Sequence, residues 1–271
     1  MRVDGEALAR ELEEKVREEL ATLGRRPSLR VLAVGSDSVT EQFVSKKRVI
    51  GERLGVSVSV KHLAPTADTE AIAAALAAAI SEGGVVVQLP LPGHVDLDYV
   101  LGLLPASHDV DVLGQEARAR FERGGEALLP PVVAAMRAVL ARYSVGVAGK
   151  RVAVVGRGRL VGAPASIWFR QQGASVHTVA GSGADLTAAV GDADIIVLGA
   201  GVPGLLKPEM FREGAVVLDA GTSESAGRVV GDADPACAER AALFTPTPGG
   251  IGPVAVTMLF SNLAALCAER A

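Results

Sequence analysis

RVAVVGRGRLVGAP, residues 151–164, decides how this chain is read. A short run rich in valine gives way to glycines at 156, 158 and 162, and Pro164 suits the first turn of a helix. Strand, glycine turn and helix follow one another. Glycines let backbone N–H groups approach a pyrophosphate, and the helix N-terminus adds partial positive charge where that anion sits. In this context Gly156, Arg157, Gly158 and Gly162 form a candidate dinucleotide site; outside it, the same glycines make only a tight turn.

The spacing is one residue longer than G-x-G-x-x-G. The second strand of the series, in SVHTVAGSGAD (175–185), carries no acid at its end until Asp185, where an NAD-type site places one for the ribose hydroxyls. A 2'-phosphate meets less repulsion there, Arg157 offers it a planar fork of donors, and Ser182 adds a hydroxyl. NADP is therefore expected ahead of NAD. The plain alternative leaves Arg157 and Arg159 as solvated surface charges.

Outward from this turn, RVAVVG, SVHTVA, DIIVLGA, AVVLDAG and ALFTPTP form a series of apolar strands spaced by helical or looped stretches. An earlier series, LRVLAVG (29–35), VSVKHL (58–63) and VVVQLP (85–90), alternates with helical segments near 40–54 and 68–81. Each reads as parallel strands covered by helices, so the expectation is α/β with two domains. Asp4 caps a first helix whose Leu8, Leu12, Val16 and Leu20 recur every four residues. VAVTMLFSNLAAL, apolar almost all round, reads as a buried helix returning toward the first domain.

Of the 271 residues, 49% are hydrophobic, and the net charge is −4 with both signs interspersed. That gives no footprint for nucleic acid or an anionic membrane, so a small-molecule partner is expected. Cys237 and Cys267 are the only cysteines, too few for a disulfide framework or a thiolate metal site. His62, His94, His108 and His177 lack ligand spacing, and no metal is expected. The start MRVDGEALAR lacks the apolar core of a signal peptide, and no apolar run reads as long enough for a bilayer, so a cytoplasmic protein is expected.

In TEQFVSKKRVIGERLG, Phe43, Lys47, Ile50 and Leu54 share one helical face, and Lys47 interrupts its apolar stripe. Lys46 falls on another side with Gln42 and Arg53. A lysine on a core-facing stripe snorkels outward, pairs, or loses its proton more readily than usual. Gln88 ends a strand apolar enough to be buried and should face a ligand cleft. Asp109 and Asp111, two residues apart in HDVDV, project to one side if extended; either is a substrate ligand or a turn cap.

Together, TEQFVSKK, VVVQLPLP, HDVDV, GRGRLVGAP, VVGDAD and PTPGGIGP resemble, in order and approximate spacing, the bifunctional methylenetetrahydrofolate dehydrogenase/cyclohydrolase family. The resemblance covers nearly the whole chain. It implies an N-terminal α/β catalytic domain over 1–125 that binds tetrahydrofolate, a Rossmann-like NAD(P)-binding domain over 126–252, and a helix at 253–271 packing back on the first. It also implies a cleft between the domains, a cytoplasmic homodimer, and a place in one-carbon metabolism. The reactions implied are oxidation of 5,10-methylenetetrahydrofolate with NADP and hydrolysis of the methenyl product to 10-formyltetrahydrofolate. By the same resemblance Lys47, Gln88 and Asp111 are catalytic, and Phe43, Asp111, Pro248, Gly249 and Gly250 bind substrate. Gly156, Arg157, Gly158, Gly162, Ser182 and Thr222 bind the cofactor.

The departures from the family pattern cluster at polar positions. Phe43 replaces a tyrosine and removes a hydroxyl near Lys47; Val112 replaces a glycine and should resist positive φ, sending the Asp111 loop along another path. Gly158 replaces a serine, Ala180 and Gly181 a His-Ser pair, PPVV at 130–133 a threonine-bearing turn, and Ala255 a threonine. These leave as alternatives a dehydrogenase with weak or no cyclohydrolase activity or with NAD preference, and a catalytically silent folate- or nucleotide-binding protein.

Overall fold

The computed structural model describes residues 1–24, 26–35, 38–125, 128–180, 184–225 and 228–270. Helix α1 (Gly5–Ala21) opens behind Asp4, whose Oδ1 accepts the Ala7 N–H at 2.9 Å and satisfies an amide that the helix itself leaves unpaired. Then β1 (Ser28–Val34), α2 (Ser38–Arg53), β2 (Ser57–Leu63), α3 (Thr69–Ile80) and β3 (Gly84–Val87) alternate. Asp68 caps α3 in the same way, accepting from Ala71 at 2.8 Å. Short helices α4 (Leu97–Gly102) and α5 (Gln115–Arg123) flank the aspartate segment, and α6 (Pro131–Arg142) follows. The second series runs β4 (Arg151–Val155), α7 (Gly162–Gln171), β5 (Ser175–Val179), α8 (Ala184–Gly191), β6 (Ile195–Leu198) and β7 (Val216–Asp219). A hairpin of β8 (Ser223–Ser225) and β9 (Arg228–Val230), α9 (Cys237–Arg240), β10 (Leu243–Thr245) and α10 (Ile251–Glu269) complete the chain.

Three strands pair in parallel in the order β2-β1-β3, and five in the order β10-β7-β6-β4-β5. The strands β3 (GVVV) and β6 (IIVL) are buried throughout, as a parallel sheet covered on both faces requires. In each sheet the chain leaves its first strand toward one side and returns to the other. The carboxyl ends of β1 and β3, and of β4 and β6, are thus points where connections diverge and a crevice opens.

The chain folds as two compact units, residues 11–131 with 256–271 and residues 1–10 with 132–255. The first ten residues are therefore not part of the unit that holds the rest of 1–125. Their backbone explains why: Phe244 N–H donates to Met1 O at 2.9 Å and Val3 N–H to Phe244 O at 2.8 Å, so the N-terminus lines the edge of β10. At the other end Val256, Leu259, Phe260, Leu263 and Leu266 of α10 share a core with Leu29, Val31, Val44 and Val86. Each such side chain contributes about 1.5–3 kcal/mol on burial.

That helix also corrects the expectation that no apolar run is long enough for a bilayer. Ile251–Glu269 contains an 18-residue window of mean hydropathy 1.8, long and apolar enough to cross one by length and composition. Its apolar surface goes elsewhere, since 67% of the window is buried inside the protein.

Candidate functional site

Two groups of residues sit at the two strand crossovers, one in each unit. In the first, α2 carries Lys47 on its buried side with Val44 and Ile50, and the lysine is only 6% exposed. It does not snorkel. Its Nζ donates to Gln88 Oε1 at 2.9 Å. Gln88 follows β3, where its N–H donates to Leu32 O at 2.8 Å and its Nε2 to Leu89 O at 3.0 Å, leaving Oε1 for the lysine. Phe43 is half-buried with its ring centroid 5.9 Å from Lys47 Nζ and 5.8 Å from Lys46 Nζ.

The segment carrying the aspartates joins the sheet beside β3: Val85 N–H donates to His108 O at 2.7 Å, and Val85 bridges Asp109 in parallel. The two carboxylates then part in role. Asp109 is fully buried, its Oδ2 accepts the Gly114 N–H at 2.7 Å, and burial pushes its pKa up to about 6. It is the turn cap. Asp111 is half-buried and faces Lys47 electrostatically. Burial lowers the lysine's pKa and raises the aspartate's, and each charge opposes the other's shift.

Val112 does not avoid positive φ. That residue adopts φ 56°, the left-handed conformation expected of glycine, with its side chain buried. Bonds on either side hold it there. Gly114 is tied to Asp109, and Asn262 Nδ2 donates to Val110 O and Leu129 O, both at 2.9 Å. Asn262 was not among the expected site residues; its signal is a lone amide in the apolar run LFSNLAAL.

In the second unit β4 ends at Gly156, whose N–H donates to Val179 O at 2.9 Å and whose φ is 102°. A Cβ on Gly156 would stand 2.4 Å from Gly199 O, and one on Gly162 would stand 2.1 Å from Gly156 O. No side chain fits either place. Gly158 is different: it is exposed and a Cβ there would meet nothing nearer than 3.9 Å, so the turn does not require glycine at that position. α7 starts at Gly162 with no side-chain cap from Val161; Ala163 N–H donates to Gly158 O at 3.0 Å and Pro164 has no N–H, so the positive end of the helix, rather than a row of amides, is what the turn offers an anion. Pro164 lies in its first turn and Arg157 is exposed on the loop before it. The cradle fits a pyrophosphate. Thr222 is half-buried just past β7, and Ser182 lies outside the described residues.

Pro248, Gly249 and Gly250 fall in this second unit, apart in sequence and unit from Lys47. Pro248 is exposed, and Gly249 O accepts the Gly5 N–H at 2.8 Å where α1 begins. The unit also contains a feature that the residue reading passed over. Asp219 and Asp232 are both buried at the carboxyl ends of the strands, and burial together with the neighbouring Asp232 raises Asp219 to about 7. Among the described residues no three His, Cys, Asp or Glu side chains converge as a metal would need.

Residues 3–111 match the family described as tetrahydrofolate dehydrogenase/cyclohydrolase, catalytic domain, and residues 130–271 its NAD(P)-binding domain. The bifunctional protein FolD 2 of Geobacter metallireducens is 35% identical over 269 residues, covering 96% of this chain and 94% of that protein. Bifunctional protein FolD of Thermus thermophilus is 36% identical over 264 residues, with 96% and 93% covered. Among solved structures, the Trypanosoma brucei methylenetetrahydrofolate dehydrogenase-cyclohydrolase, complexed with NADP cofactor and inhibitor, superposes with a TM-score of 0.94 at 31% identity, over 100% of this chain and 98% of that one.

Proposed function

The chain belongs to the tetrahydrofolate dehydrogenase/cyclohydrolase family, and from that premise we propose that Lys47, Gln88 and Asp111 carry its chemistry. It is an NADP-dependent methylenetetrahydrofolate dehydrogenase and a methenyltetrahydrofolate cyclohydrolase. The observation that carries the residue assignment is the bond from a buried Lys47 to Gln88 Oε1, 2.9 Å long, with Asp111 as the lysine's charged neighbour.

The Gly156–Gly162 turn would hold the pyrophosphate of NADP and Arg157 its 2'-phosphate, and the bound nucleotide would supply the hydride acceptor. In the oxidation the C–H bond of a methylene carbon flanked by two nitrogens breaks, and those nitrogens share the resulting positive charge. Orientation matters more than a proton acceptor in this step. Asp111 accepts hydrogen bonds from the amino and ring N–H groups of the pterin, and Phe43 stacks on its face.

In the hydrolysis, the water oxygen bonds to the methenyl carbon and a proton leaves it; the carbon's bond to N5 then breaks, N5 taking the proton of the new hydroxyl, and the formyl group stays on N10. Lys47 manages that proton, because burial lowers its pKa and a neutral amine accepts one. Gln88 fixes the amine by accepting one of its hydrogens. Pro248, Gly249 and Gly250 complete the folate contacts, and Thr222 those of the nucleotide. The family reading also makes the protein a cytoplasmic homodimer, which sedimentation and fractionation test. The activity test is absorbance of the methenyl product with NADP and with NAD, and its decay on hydrolysis. NADP is expected to give faster product formation; no product with either nucleotide refutes the assignment.

A further inference from the structure

Beyond β6 the chain turns through Ala200, Gly201 and Val202, and all three N–H groups meet one carboxylate. Asp232 Oδ2 accepts from Ala200 at 2.7 Å and Gly201 at 3.0 Å, and Oδ1 from Val202 at 2.8 Å. Asp232 is itself held by Asp219, whose Oδ1 accepts from Gly221 at 2.9 Å and from Asp232 N–H at 3.2 Å, and whose Oδ2 accepts from Ala233 at 3.0 Å. The packing allows nothing larger: a Cβ on Gly221 would stand 2.2 Å from Asp232 Cγ, and one on Gly231 would stand 2.0 Å from Asp219 Oδ2. This accounts physically for the Gly-Asp of VVGDAD.

Successive N–H groups converging on one point are how a backbone holds a phosphate. Here the protein's own carboxylate fills that place. The loop so held stands directly beside the glycine turn, since Gly199 N–H donates to Val155 O at 2.9 Å and Gly199 O limits Gly156. Its tip presents Val202, a large apolar side chain left 44% exposed. It therefore lies at the β4/β6 crossover, where a ligand of such a sheet binds.

We propose that Asp232 is a positioning residue for the nucleotide: it takes up the amides of residues 200–202, fixes that loop as a wall of the site, and leaves the Gly156–Gly162 turn as the seat for the pyrophosphate. The proposal rests on the NADP assignment. It differs from a general stabilising role in one measurable respect. Hydrolysis of the methenyl substrate consumes no nucleotide, so a loop that serves the nucleotide affects oxidation alone, whereas a brace for the whole fold affects both reactions.

The experiment compares wild type, Asp232→Asn and Gly221→Ala. Asparagine keeps the shape but turns a donor toward backbone N–H groups; the alanine keeps the charge and displaces it. NADP is varied in the dehydrogenase assay, hydrolysis is followed without nucleotide, and NADP affinity is measured by calorimetry. Both variants are expected to raise the NADP KM and Kd about tenfold or more, with folate KM and hydrolysis within about twofold of wild type. Unchanged NADP affinity in both variants, or a parallel fall of both reactions, overturns the proposal. If Asp232→Asn does not fold, Gly221→Ala decides by itself. A wild type that binds NADP without oxidising the folate defeats the functional reading, while the Kd ratio still decides this one.

Discussion

The residues around Lys47 and the residues around Gly156 solve opposite problems. The first are polar side chains at the margin of an apolar core: a buried amine with a half-buried amide and a half-buried carboxylate, the amine and the carboxylate both shifted in ionisation by burial. The second work through the absence of side chains, with Gly156 and Gly162 admitting backbone where any Cβ would clash. A site of side chains is sensitive to the identity of single atoms. A site of backbone is sensitive to volume, and its polar decoration can change while the cradle persists.

The largest effect expected from this contrast is at Lys47. Lys47→Met keeps the volume and removes the amine, so hydrolysis should fall by about 10²-fold or more while calorimetric NADP affinity is unchanged. Hydrolysis by wild type should also rise with pH at a point below the ordinary lysine range, since burial lowers this amine, and the methionine variant should lack that rise. Unchanged hydrolysis removes Lys47 from its role and collapses the distinction between the two regions.

The reverse experiment adds a single carbon to the cradle. Gly162→Ala places a Cβ 2.1 Å from Gly156 O, and the backbone has to move at the seat of the pyrophosphate. NADP KM should rise about tenfold or more with hydrolysis largely retained. Gly158→Ser, where a Cβ meets nothing closer than 3.9 Å, should change NADP KM by less than about threefold. Equal effects at 158 and 162 would show that volume does not govern this turn.

The contrast also explains what the sequence disclosed. Alternation of short valine-rich runs with helical stretches was enough for the eight parallel strands among the described residues, because a covered parallel sheet needs continuous apolar segments. Lys47 was visible as a charge on an apolar stripe, and Gly156 and Gly162 as glycines behind a strand. Whether Lys47 snorkelled or paired was not visible, since Gln88 is 41 residues away and only strand order brings them together. Val112 misled for a related reason. Its intrinsic dislike of positive φ, on the order of 1–2 kcal/mol, is outweighed by the bonds at Gly114 and Val110 and by its own burial. Asp219 and Asp232 were hidden because local sequence gives aspartate a turn or cap, and their partners lie on other strands' loops.

The two regions should also differ in how pH acts on stability. Asp219 has an ordinary value of 3.8 and a folded value of about 7, so between them the folded state keeps a proton that the unfolded state has released. Stability therefore falls as pH rises through this window, by at most about 1.4 kcal/mol per pH unit. Asp109, raised to about 6, acts in the same direction but is largely spent above that pH. Lys47, lowered by burial, acts oppositely, giving stability that increases with pH between its folded value and 10.5. Urea midpoints between pH 6 and 7 should fall with pH in wild type and stay nearly flat in Asp219→Asn, whatever that variant's absolute stability. A slope surviving the substitution assigns the proton elsewhere.

The smallest expected effect tests how far single atoms govern the lysine site. Phe43 leaves Gln88 Oε1 as the hydrogen-bond acceptor of Lys47 Nζ, and with that nitrogen over the ring, 5.9 Å from its centroid, a hydroxyl added to the ring reaches it once the ring turns its edge toward the amine. Phe43→Tyr supplies a second polar partner without adding to the stacking surface. One hydrogen bond is worth about 1 kcal/mol, so hydrolysis should rise by up to about fivefold. NADP KM should not change, because the phenol lies in the other unit from the glycine turn. An equal or lower rate would show that the amide alone holds the amine in its working position, and that this side-chain site tolerates loss of a polar atom as the backbone site does.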